Sequence, residues 1–284
     1  MDTNIQTVLV DEIEGALGGG PPIAVATVTG SGDPPWLIPG DKLLIRSDGT
    51  YVGGFGYEEI DTATIKLAKQ SLTGFPRISI ETIYVSSDGH ATNRRHQSRL
   101  GDAELMVQIW EAPARLIVVG GGHVGLAVAT FGEKLDFAVT LIDDREDFAN
   151  RERFPMAEQV LVGDIEDQLN SLVFDQSAHV VLVSRGHLQD ERALKAVIRE
   201  PVGYLGMIGS QRRTQTVLTH LAEEGYDQID LEKVSTPVGL DIGAETPEEI
   251  ALSILAEIVM LRRGGNGGRM GRRMQLEVGE DLKN

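Results

Sequence analysis

The chain has 284 residues, 41% of them hydrophobic and 24% charged, a balance that suits a globular protein with room for two ordinary domains. Asp and Glu number 43 against 26 Lys and Arg, and the net charge of −17 disfavours general binding to nucleic acid phosphates. There is no cysteine, which excludes disulfides, thiolate metal sites, iron–sulfur ligation and a cysteine nucleophile.

Residues 5–17 place Ile5, Val8, Leu9, Ile13 and Leu17 at helical spacing, and Gly18-Gly19-Gly20-Pro21-Pro22 stops that helix. Ile23–Thr29 is rich in β-branched residues and predicts a strand. Lys42–Arg46 and Thr50–Gly53 flank Ser47-Asp48-Gly49 and predict a hairpin. A helix over 57–71 and a strand over 77–86 complete a small α+β region, 1–111. Ser87–Arg99 is polar, and its pattern favours neither helix nor strand. Glu111-Ala112-Pro113 marks the boundary.

Beyond Pro113 the pattern changes to strand then helix, repeated over 112–264. Strands are predicted at 115–119, 138–142, 159–162, 179–184 and 204–208, and helices at 123–135, 165–173, 189–199, 210–224 and 247–262. Alternation of this kind predicts an α/β fold, a Rossmann-like doubly wound parallel sheet of order 3-2-1-4-5. Thr246, Pro247 and Glu249 read as a capping-box start to the last helix. The Gly- and Arg-rich segment 265–284 is expected to be mobile. No apolar run approaches the ~20 residues of a membrane span. The Met1-Asp2-Thr3 start carries no basic, apolar leader, so a cytoplasmic location is expected.

Within this frame one loop carries chemistry. Arg115–Val119 runs into Gly120-Gly121-Gly122-His123-Val124-Gly125, a G-x-G-x-x-G turn between strand and helix. Gly120 permits the turn, Gly122 lets backbone approach a pyrophosphate, and Gly125 allows close helix packing. Free N–H groups at the helix start attract the anion. Asp143 ends the next strand, the place where an acid reads ribose hydroxyls. Ligands in such sheets sit beyond the carboxyl ends of the strands, so the loops after strands four and five join the site. Those loops hold Arg185, Gly186 and His187, then Gly209, Ser210, Arg212 and Arg213. The arginines suit bidentate phosphate contacts, and Ser210 reads first as a helix cap. His123 and His187 are candidates for acid–base work. Asp190 is the best partner for His187, although its helix position predicts exposure. Asp241, in a glycine-flanked loop, could bind ligand or metal. His90, His96, His179 and His220 lack such context.

The runs GGGHVG, LIDDREDFANRERFP, SRGHLQD, YLGMIGSQRR and PVGLDIGAETPEEIALSILAEIV, in that order over roughly 113–263, resemble the XdhC/CoxI family. ATVTGSGDPP, PGDKLLIRSDGT and GGFGYEE look like a diverged copy of that family's first domain. The resemblance implies an accessory protein for molybdenum hydroxylases such as xanthine dehydrogenase. Such a protein binds molybdenum cofactor, promotes its sulfuration and delivers it to the apoenzyme. It implies further an apo molybdenum hydroxylase and a sulfur-donating desulfurase as partners, and a homodimer without turnover of its own. One departure stands out: Phe55 occupies the cysteine's place in the family's G-G-C-x-E stretch, and a later Cys-Gly-Gly segment has no counterpart near 70–80. A phenyl ring cannot replace a soft thiolate at a molybdenum–sulfur centre. Two other functions use the same crevice: an NAD(P)-dependent oxidoreductase and a nucleotide-binding sensor. Asp143 would favour NAD, and Arg145 blurs that preference.

Overall fold

The structure, a computed structural model, describes residues 3–74, 78–184 and 186–271. It contains two six-stranded sheets. The first region runs α1 (Thr3–Leu17), β1 (Ile23–Gly30), β2 (Lys42–Arg46), β3 (Tyr51–Gly53), α2 (Glu58–Thr73), β4 (Ile80–Val85), β5 (Ala91–Thr92) and β6 (Ala103–Trp110). Its sheet has the order β3-β2-β1-β6-β4-β5, and its pairings are antiparallel. Six consecutive residues of β1 are buried because both faces of the strand are covered. Leu9 and Ala16 of α1 pack on Val25 and Leu44 on one face. Ile60, Ala68 and Leu72 of α2 pack on Ala24, Leu43 and Leu105 on the other.

The sequence predicts no element between Arg99 and Glu111, and here the structure differs. β6 is a central strand, paired to both β1 and β4. Its signal is a short period-two run: Ala103, Leu105 and Val107 are buried, while Glu104 is exposed and Met106 half-buried. Charged and amide residues among the apolar ones weaken that pattern.

The second region runs β7 (Arg115–Val119), α3 (His123–Lys134), β8 (Ala138–Asp143), β9 (Gln159–Val162), α4 (Ile165–Asn170), β10 (Ala178–Leu182), α5 (His187–Val197), β11 (Tyr204–Met207), α6 (Gln211–Glu223), α7 (Gln228–Glu232), β12 (Val234–Ser235) and α8 (Pro247–Arg263). Its parallel sheet has the order β9-β8-β7-β10-β11-β12. This is the expected 3-2-1-4-5 order with a short sixth strand added. The central strands are nearly continuous apolar runs because helices cover both faces. α3 and α8 bury Val128, Ile254 and Ile258 on one face; α4, α5 and α6 bury Leu169, Leu194 and Leu221 on the other. The capping box of α8 forms as expected, with Thr246 Oγ1 accepting from the Glu249 N–H and the Glu249 carboxylate accepting from the Thr246 N–H.

The connection from β8 to β9 contains no helix; it is a run of turns that carries Arg145, Phe148, Arg151 and Arg153 and buries Ala149 and Phe154 in the core beside α3. No helix among the described residues is long and apolar enough to cross a membrane. The expectation for 265–284 falls largely outside the described residues, which end at Gly271.

Candidate functional site

β7 and β10 are adjacent, and their following helices lie on opposite faces of the sheet. A crevice therefore opens beyond their carboxyl ends. Gly120 leaves β7 with φ 116, a conformation that glycine favours, and a Cβ there would stand 2.7 Å from the Val183 carbonyl oxygen. On Gly121 a Cβ would strike the Phe148 backbone, and on Gly125 it would strike the Gly120 carbonyl oxygen. Those three glycines are explained by the protein's own packing. Gly122 is not. Its φ of −68 suits any residue, and nothing lies within 4 Å of where its Cβ would be.

The loop is held rigid from behind. Asp143, 2% exposed, accepts the Gly121 N–H at 2.6 Å, and Arg153 donates to the Gly121 carbonyl at 3.1 Å. Arg145 donates to Asp143 from its backbone N–H at 3.0 Å, from Nε at 2.8 Å and from Nη2 at 2.9 Å. Burial alone would push the Asp143 carboxyl up. The Arg145 guanidinium and the Gly121 and Arg145 N–H groups outweigh it and hold the pKa below its ordinary value. Arg145 also stacks 3.5 Å over the Phe148 ring.

Three helix starts converge on this edge. α3 begins at His123, which is exposed, and Gly122 before it provides no side-chain cap. Val124 turns into the core beneath α3. α5 begins at His187 behind Gly186, again without a side-chain cap. The α6 start is capped as expected, with Ser210 Oγ accepting the Arg213 N–H at 3.4 Å, and Gly209 precedes it. Arg212 is exposed on the first turn of α6. Arg185 lies outside the described residues, and the side chain of His187 does also.

One expectation is corrected. Asp190 does not face solvent; it is 1% exposed. It accepts the Ser184 hydroxyl and, at 3.0 Å, the Arg213 guanidinium. The carboxylate thus ties the β10 exit to the first turn of α6, so α5 turns its first acid inward. These two partners come from other elements, which helical periodicity along α5 alone does not reveal.

Asp241 is exposed in the loop 237–244, which with Ile208, Gln211 and Ile250 lines a groove of ≈ 630 Å³. Glu257 fastens this loop by accepting the Gly239 N–H at 2.9 Å and the Tyr204 hydroxyl. Arg153 and Glu257 escape sequence reasoning, because each acts across a long stretch of chain with no local pattern. In the first region Phe55 is 6% exposed and sits in the core beside Ile60 and Leu105. Its N–H donates to Asp61 at 2.9 Å, and burial raises the Asp61 pKa. Of the remaining histidines, His179 is buried, with Nδ1 2.8 Å from the Ser177 carbonyl oxygen.

A strand, a rigid glycine turn and a helix start, set at the switch point of a parallel sheet, define a Rossmann-type domain. Residues 116–258 match the XdhC Rossmann domain family, and with half of its length matched the chain belongs to that family. It is 28% identical over 229 residues to the uncharacterized protein YqeB of Escherichia coli, an alignment covering 81% of this chain and 42% of YqeB. It is 30% identical over 161 residues to a probable xanthine dehydrogenase subunit of Bacillus subtilis, covering 56% of this chain and 46% of that protein. The chain therefore spans less than half the length of these two curated relatives. A crystal structure titled a xanthine dehydrogenase, from Bacillus halodurans, shares the fold with a TM-score of 0.52 and 18% identity, covering 90% of this chain and 96% of that one.

Proposed function

We propose that this chain is an XdhC-type accessory protein that holds molybdenum cofactor by its phosphate and assists its insertion into an apo molybdenum hydroxylase of the xanthine dehydrogenase kind, in the cytoplasm. The observation that carries the reading is Gly122. The other glycines of the loop are required by protein contacts, whereas Gly122 faces open space at an uncapped helix start. A missing Cβ with no internal cause is what close approach of a phosphate needs. Family membership and the name of the Bacillus subtilis relative support the choice of cofactor and client.

The residues fit the phosphate end of the cofactor. Gly120–Gly122 with His123, Val124 and Gly125 would form the cradle, and Gly186, Gly209, Ser210, Arg212 and Arg213 its far wall; Arg185 and His187 belong to the same proposal. Asp143 would serve from behind, by fixing the Gly121 peptide. The metal end is another matter. The chain has no cysteine, and Phe55 is a core side chain. Sulfuration then falls to a partner desulfurase that brings its own thiol. When bound, the cofactor supplies the molybdenum centre that the client uses. For the oxidoreductase reading, the acid of the best proton-transfer pair, Asp190, also accepts from Ser184 and Arg213.

The test is retention. Purified protein is mixed with molybdenum cofactor and, separately, with NAD(H), then desalted, and bound pterin is read by fluorescence after oxidation. Retained pterin is expected, with affinity about tenfold lower in Gly122→Val, the side chain now filling the phosphate's space. Retention of NAD(H) alone would overturn the proposal.

A further inference from the structure

We infer that Arg145 closes the ribose position of the glycine-loop site, so that the site takes a ligand ending in phosphate and rejects one that presents a ribose diol to Asp143. The inference rests on the proposed phosphate role of the loop and narrows it to the phosphomonoester form of the pterin, as against a nucleotide-extended form.

In a dinucleotide site the acid ending the second strand accepts hydrogen bonds from ribose hydroxyls. That requires free acceptor positions. An ionised carboxylate has about four. On Asp143 four donors already occupy them: the Gly121 N–H and Arg145 Nη2 at Oδ2, the Arg145 N–H and Nε at Oδ1. Three of the four come from one residue. A ribose could reach the acid only by displacing Arg145.

Arg145 is not a loose arm that would yield. Its side chain is 20% exposed. The guanidinium lies over Phe148, and its backbone carbonyl accepts the N–H groups of Phe148 and Ala149. Removing it would leave a carboxylate that is 2% exposed without its counter-charge. The pair also cancels the negative charge that would otherwise stand behind the loop, which favours an incoming phosphate. The turns that hold Arg145 replace the helix expected between parallel neighbours.

Titration calorimetry on the full chain tests this with inorganic pyrophosphate, ADP and 2′,3′-dideoxy-ADP. In the wild type the three should bind within about threefold of one another, because the diol meets no free acceptor. Arg145→Ala should tighten ADP by about tenfold or more over the other two. Wild-type ADP binding about tenfold tighter than its dideoxy form would overturn the inference. So would an equal preference for ADP carrying a 2′-phosphate, which would make Arg145 a reader. Should Arg145→Ala fail to fold, the wild-type comparison decides alone. If no probe binds and Gly122→Val changes nothing, the phosphate role itself has failed, and the inference falls with it.

Discussion

The two sheets use glycine in opposite ways. In the first region Gly53 has φ 89 and Gly54 has φ 152; a Cβ on either would meet Lys42 or Asp61, and Phe55, which follows them, fills the core. Those three residues are accounted for by their own packing. In the second region the loop after β7 is equally tight at Gly120, Gly121 and Gly125 yet leaves Gly122 with no neighbour. At a helix start beyond the end of a parallel strand, that open position is where a phosphate would approach. In the first region Phe55 is a core ring, and the proposed phosphate site lies in the second.

The largest effect should come from the scaffold. Phe55→Ala truncates a buried aromatic and should cost about 4 kcal/mol, read as a lower urea midpoint. Pyrophosphate affinity, measured where the variant remains folded, should not change. A matching loss of affinity would break the division between the two regions.

Gly125→Val should cost about 3 kcal/mol, because its Cβ collides with the Gly120 carbonyl oxygen and the backbone must shift. Gly122→Val should cost no more than about 1 kcal/mol, the penalty of a poor N-cap residue. Melting temperatures of the pair test the claim that one glycine serves packing and the other a ligand. Equal losses would refute it.

A smaller effect concerns His179, edge-on to Phe137 near the seam between the sheets. Burial lowers its pKa to about 4, opposed by the Ser177 carbonyl and aided by the nearby Arg262. Protons therefore favour the unfolded chain. The contribution is complete above the ordinary value of 6.5, declines as pH falls through 6.5 and levels off below about 4. Between about pH 7 and about pH 5 the wild type should lose about 2 kcal/mol more stability than His179→Gln. Parallel pH profiles for the two proteins would remove His179 from the account.

Much of the fold was legible because its causes are local. Helical spacing in α1 and α2, β-branched runs in β1 and β7, the Thr246 box and the strand–helix alternation all arise from neighbours a few residues apart. The fate of charged side chains was not. Asp190 reads as a surface acid on a helix, yet Ser184 and Arg213 draw it inside. β6 was missed because its short alternation is diluted by Glu104 and Gln108, and only pairing with β1 and β4 makes it a strand.

By itself, then, the sequence determined the doubly wound sheet, its strand order and the position of the glycine turn, since periodicity and turn chemistry act over short range. Tertiary structure alone decided which glycine is left open and which loop N–H completes the contacts of Asp143. Those outcomes depend on what each group meets across the fold. Val183 and Phe148 press on the loop from outside it, and the Gly121 N–H meets Asp143 across 22 residues of chain.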